Sequence, residues 1–145
     1  MKISTFFICI FILSSNFIFS QKFPAGYCTA GIAQVKGGSL CDKNKYVCGG
    51  VTWSGDAKDW YANSKSKGVS VGKIAKIGAI IVFPSFTNNP YGHVGIIVKT
   101  NPLTMKSMND LDGLGKWTTR EVSGFPNKKK PIAPTGYIYY KLESI

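Results

Sequence analysis

Residues Gly78–Thr100 read GAIIVFPSFTNNPYGHVGIIVKT, and this stretch decides the class of fold. Gly78 to Phe83 is a short run of apolar β-formers that stops at Pro84. Thr87 to Gly92 is crowded with turn residues, and His93 to Thr100 is a second apolar run with Val94, Ile96 and Val98 on one face. Short runs of this kind bounded by Pro, Gly and Asn are strand signals, and a brief turn between two of them makes them antiparallel neighbours. Towards the C-terminus the pattern continues. Met105 to Asn109 reads as a third strand, Trp117 to Val122 alternates in places, and Gly136 to Leu142 closes the chain with Tyr137, Ile138, Tyr139 and Tyr140.

Towards the N-terminus the period changes. Asp56 to Lys67 carries Ala57, Trp60, Tyr61 and Ser64 at helical spacing with charges opposite, and Gly68 ends it. Cys28 to Val35 reads as a shorter helix, opened by the turn Pro24-Ala25-Gly26 and stopped by Gly37 and Gly38. Gly49 to Thr52 is loop. Helices first and strands afterwards predict an α+β domain, its N-terminal helices packed on an antiparallel sheet. Trp53, Trp60, Tyr61 and Trp117 are expected in its core.

Residues 1–20 are expected to lie outside that domain. Lys2 gives a positive start, Phe6 to Phe19 is almost wholly apolar, and Ser20 is a small residue at a cleavage point before Gln21. This is the layout of a secretory signal peptide, and the apolar run is shorter than the roughly 20 residues of a spanning helix. Residues 21–145 then form one domain of ordinary size, expected as a soluble monomer without stable membrane insertion. Lys2 is the leader's one charge, so the eighteen basic residues become seventeen against seven acidic ones, a net +10. Such a charge fits nucleic acid or an anionic polymer. With an export signal, anionic bacterial wall polymers are the expected partner and nucleic acid is not. The Lys128–Lys130 run, flanked by Pro126 and Pro131, reads as a solvated loop.

Cys9 leaves with the leader, so Cys28, Cys41 and Cys48 remain. Cys41 and Cys48 flank a polar turn, and a short-loop disulfide between them suits an oxidising compartment. That pairing would leave Cys28 as the free thiol, either buried and inert or reactive. One His and three Cys without zinc-knuckle spacing argue against a metal site, and no cofactor is expected.

The one imidazole, His93, stands at a strand start beside Gly92. Cys28 stands at a helix start, where unpaired N–H groups and the helix dipole favour a thiolate and its backbone N–H can serve an oxyanion. A thiol and an imidazole make a nucleophile and a general base once a third group fixes the tautomer of the ring. If Met105–Asn109 is extended, Ser107 and Asn109 share a face; Ser107 is a candidate to orient the ring, with weaker bonding and shorter reach, and Asn109 is the expected orienting residue.

Four ordered segments carry a resemblance. They are Pro24-Ala-Gly-Tyr-Cys28-Thr29, Gly55-Asp-Ala-Lys-Asp-Trp60-Tyr-Ala-Asn63, Val71-Gly72 leading into Gly78-Ala-Ile-Ile-Val-Phe83, and Tyr91-Gly-His93-Val94. Met108-Asn109, Gly113 through Thr119-Arg120, and Gly136-Tyr137-Ile138 add to them. Together they resemble the CHAP family, the cysteine- and histidine-dependent amidohydrolase/peptidases. The resemblance implies a papain-like α+β fold over residues 21–145 and cleavage of amide bonds in peptidoglycan, with Cys28 as nucleophile and His93 as base. Where the family often has a Glu two residues before an Asn, this chain has Ser107 and Asn109. Where the family often has a Gln before the nucleophile, this chain has Tyr27, whose hydroxyl is a candidate oxyanion donor. Ala30 and Gly31 replace the aromatics common after the nucleophile. Some members bind calcium near the nucleophile, but no Asp or Glu lies between Gln21 and Leu40.

The expected function is therefore a secreted amidase (of the N-acetylmuramoyl-L-alanine type) or endopeptidase of bacterial peptidoglycan, acting outside the cell or in an endolysosomal or phagosomal lumen. The rival from the same residues is a non-catalytic cationic protein of CHAP fold that binds wall polymers.

Overall fold

The computed structural model describes residues 21–145, so the leader expected at 1–20 lies outside the described residues. In chain order the elements are β1 (Lys22–Pro24), α1 (Cys28–Val35), β2 (Ser39–Cys41), β3 (Tyr46–Cys48), α2 (Trp60–Ser66), β4 (Val71–Gly72), β5 (Ile80–Phe83), β6 (His93–Thr100), β7 (Leu103–Met108), β8 (Trp117–Glu121) and β9 (Gly136–Ile138). Single 3-10 turns at Ala57–Asp59 and Val122–Gly124 lead into α2 and follow β8. The fold is α+β and papain-like, with a six-stranded sheet in the order β4-β9-β5-β6-β7-β8 and all pairs antiparallel.

The pair read first in the sequence sits at the centre of this sheet. Ile80 lies opposite Ile96 and Phe83 opposite His93. Both strands are apolar on both faces because both faces are covered. Ile80, Val82, Val94, Ile96 and Ile138 pack with Ile32, Ala33, Trp53 and Trp60. Ile81, Phe83, Ile97 and Met105 pack with Val122, Phe125 and Tyr137 on the other side. Trp53 and Trp60 are fully buried, and Tyr61 and Trp117 pack at the margin of the first cluster. Among the described residues no helix is long and apolar enough to cross a membrane.

The three short strands β1, β3 and β2 form a second antiparallel sheet that the sequence reading missed. Strands of three residues carry too little alternation to be seen. The Cys41–Cys48 disulfide staples β2 to β3, and Asp42, Lys43 and Asn44 all take positive φ between them. Other boundaries differ too: the closing segment expected over Gly136–Leu142 is strand only to Ile138, and the one over Trp117–Val122 only to Glu121. The helix expected over Asp56–Lys67 begins as a 3-10 turn, and the strand expected over Met105–Asn109 ends at Met108. Asn109 has φ 56, so the chain leaves the sheet there. Asn is among the few residues that adopt this conformation readily, and nothing in the apolar pattern marks it.

Helix α1 lies close against β7 because Gly31 has no side chain. A Cβ there would sit 2.8 Å from Met108 Cβ and 3.1 Å from Trp117 Cη2. Gly31→Val is expected to lower stability by about 2 kcal/mol through overpacking, despite the better helix former. Urea denaturation monitored by tryptophan fluorescence reads this directly.

Candidate active site

Cys28 is the first residue of α1, and the preceding Tyr27 is extended (φ −86, ψ 162) with no side-chain cap. The first intrahelical bond is Gly31 N–H to Tyr27 O, so the N–H groups of Cys28 and Thr29 face outward as at any helix start. Cys28 is the free cysteine among the described residues and is buried. Burial pushes its thiol up to about 11, against the lowering effect of the Val94, Thr29 and Cys28 backbone N–H groups; the Asp110 charge adds slightly to the rise. The expectation of a helix-stabilised thiolate is thus not met in the substrate-free site. The helix start is present, but loss of water costs the anion more than three N–H groups return.

His93 opens β6 and is 3 % exposed. Two contacts set its backbone. Lys58 N–H donates to Tyr91 O at 2.9 Å, and Asn89 Nδ2 donates to Gly92 O at 3.0 Å. Gly92 has φ 73, and a Cβ there would lie 2.6 Å from Phe83 O, so only glycine fits beside the histidine. The imidazole stacks on Phe125, with centroids 5.1 Å apart and planes at 22°. Its Nε2 is buried with no hydrogen-bond partner. Burial holds His93 down at about 4; the Asp110 carboxylate pulls it up and the Arg120 guanidinium pulls it down. The resting pair is therefore a neutral thiol and a neutral imidazole at pH 7.

Cys28, His93, Asn109 and Tyr27 all line one cleft of about 680 Å³, with Phe23, Pro24, Thr29, Asp56, Ala57, Asn89 and Tyr91 among its walls. Residues scattered over 83 positions thus share one cavity of ligand size. Tyr27 is 48 % exposed and Tyr91 64 % exposed, so both stand at the rim. A shallower depression of about 480 Å³, lined by Lys58, Ser85, Phe86, Asn88, Asn89 and Pro90, shares Asn89 with the cleft. Ser107, by contrast, is fully buried and does not line the cleft. Its Oγ donates to Asp110 Oδ2 at 3.2 Å. The expectation that Ser107 and Asn109 extend side by side along one strand is corrected by the strand's end at Met108.

The sequence reading missed Asp110 and Arg120. Arg120 Nη1 pairs with Asp110 Oδ1 at 3.2 Å, and their side chains are 13 % and 8 % exposed. Arg120 Nη2 also donates to Gly124 O at 2.5 Å and Pro126 O at 3.2 Å, and its guanidinium lies 5.4 Å from the Phe125 ring centre. A single acidic residue after a strand gives no signal in sequence, because its partner is ten positions away.

The family model for the CHAP domain matches residues 19–109. No curated protein matches the chain. The matched span holds Cys28, His93 and Asn109, and it covers more than half of the sequence. The chain belongs to the CHAP domain family, whose general activity is that of amidases and peptidases acting on peptidoglycan.

Proposed function

We propose that this protein is a secreted cysteine hydrolase that cuts amide bonds in bacterial peptidoglycan, with Cys28 as nucleophile and His93 as general base. The observation that carries the reading is that the one free thiol and the one imidazole of residues 21–145 line the same open cleft. In the acylation step His93 takes the Sγ proton as sulfur bonds to the amide carbon. The carbonyl oxygen becomes an oxyanion facing the N–H groups at the start of α1. His93 then protonates the leaving amine and the C–N bond breaks, giving a thioester. Water attacks the thioester, His93 takes its proton, and the thiol and a carboxylic acid product are released. Because both partners rest neutral, the sulfur is deprotonated as it attacks rather than beforehand. The open cleft, with a second depression that shares Asn89 as a wall, supports a polymeric substrate. The apolar leader at 1–20 and the Cys41–Cys48 disulfide support action in an oxidising, extracytoplasmic or luminal compartment.

A second reading is favoured by the raised thiol pKa and by Ser107 in the place of an acid: the cleft binds wall polymer without cutting it. Digestion of purified sacculi separates the two. Hydrolysis releases fragments whose masses show new amino and carboxyl termini and intact glycan bonds. Sacculi that adsorb the protein and release nothing would leave the binder.

A further inference from the structure

The buried Nε2 of His93 has no partner among the described residues, although the ring stands beside a buried ion pair. A buried N–H left without an acceptor costs about 1–3 kcal/mol, so what surrounds it decides which nitrogen carries the proton. Three observations place Asp110 in that surrounding. A Cβ at Gly95, two residues beyond His93 on the same sheet face, would lie 3.3 Å from Ser107 Cβ. Ser107 Oγ donates to Asp110 Oδ2. Arg120, which pairs with the other carboxylate oxygen, lies over Phe125, and Phe125 stacks on the imidazole. Asp110, Arg120, Phe125 and His93 thus form one contiguous group on the face of the sheet that carries the histidine.

We propose that Asp110 is the positioning residue of the site: held by Arg120 and Ser107, its carboxylate keeps the proton of His93 on Nε2 and leaves Nδ1 free to take the Cys28 proton. Ser107 stands where an acid would be expected on the strand, and the turn just beyond supplies the carboxylate instead. Ser107 then serves as its hydrogen-bond donor. Asn109 keeps its place on the cleft wall, in reach of substrate, without orienting the ring. Each oxygen of Asp110 receives one bond, from Arg120 or from Ser107, so lone pairs remain on both; neither oxygen is hydrogen-bonded to Nε2 in this structure, and the carboxylate acts on the ring through its charge. Arg120 has a second effect: its bonds to Gly124 O and Pro126 O seat Phe125 against the imidazole.

The assignment rests on the proposed hydrolase reading for its meaning, but its test does not need catalysis. His93 is the chain's one histidine, so a long-range ¹H–¹⁵N NMR spectrum contains one imidazole. At pH 7 the protein is expected to show a pyrrole-like Nε2 and a pyridine-like Nδ1. Asp110→Asn should mix the tautomers and lower kcat on sacculi about 10²-fold with KM little changed, and Asp110→Glu should recover part of both. The double variant Asp110→Asn/Arg120→Gln removes both charges together and guards against misfolding from an unpaired guanidinium. It should show the same tautomer mixing. A proton on Nδ1 in the unaltered protein, or an unchanged Nε2–H tautomer in both variants, overturns the assignment. Absence of hydrolysis in the unaltered protein would count against the hydrolase reading alone, with the spectrum still deciding the role of Asp110.

Discussion

Cys28→Ala protein is expected to fold normally, bind sacculi and lose at least about 10³-fold in wall hydrolysis. The substitution removes one sulfur atom at the start of α1, so the loss of packing is small compared with the loss of the bond-forming atom. Fragment release from purified sacculi, measured beside a pull-down of the same protein on the same sacculi, checks both halves. Undiminished release by Cys28→Ala would sink the proposed chemistry. The pH dependence follows from the resting charges. His93 accepts a proton only while neutral, and burial holds it neutral down to about 4. The charged groups that act on it are Asp110 and Arg120, which pull in opposite directions. Hydrolysis should therefore be level through neutral pH and fall only as pH drops towards 4. It should not wait for free thiolate on the basic side, because the thiol of the resting site ionises at about 11. A rate that climbs steadily from pH 7 to 10 would mean that thiolate forms before attack.

Lys36→Met is expected to cost about 3–5 kcal/mol of folding stability, the largest loss foreseen for a single change away from the cleft. Lys36 is fully buried at the end of α1. Its ammonium donates to Gly78 O at 2.8 Å, Lys141 O at 2.7 Å and Ser144 O at 2.6 Å. Lys141 answers by donating its own Nζ to Lys36 O at 2.8 Å. One side chain thus ties the helix that carries Cys28 to the loop leading into β5 and to the C-terminal tail. Methionine keeps the volume and removes every donor, which leaves three carbonyls facing an apolar group. Urea denaturation of the variant gives the loss. An unchanged midpoint would show that the three carbonyls are met equally well without the cation. Because the carbonyls are on backbone far from Lys36 in sequence, nothing in the pattern around Lys36 distinguishes it from the exposed lysines of this basic chain.

The apolar runs of the central strands were legible because their residues are apolar whichever neighbour covers them. The helix at Cys28–Val35 was legible from its turn, its apolar positions and its glycine stop. The small disulfide-linked sheet was not, since strands of three residues are held by pairing and by a covalent bond rather than by local pattern. Asn109 was misread as strand because its positive φ is set by the turn that returns to Lys116, whose carbonyl accepts the Asn109 N–H at 3.1 Å.

Cys28 and His93 were legible as a candidate pair because each is singular: among residues 21–145, once the Cys41–Cys48 disulfide is set aside, one thiol and one imidazole remain. That scarcity, with the turn before Cys28 and the glycine before His93, is what the sequence by itself determined, together with the α+β order of helices and strands. Tertiary structure alone decided the electrical state of the pair and its surroundings. Burial, which no local motif reports, outweighs the helix start and leaves both groups neutral. The ion pair of Asp110 and Arg120 beside the imidazole exists only because β7 and β8 lie side by side. A pKa and a tautomer depend on distances across the fold, and those distances belong to strands and turns that meet only when the chain is packed.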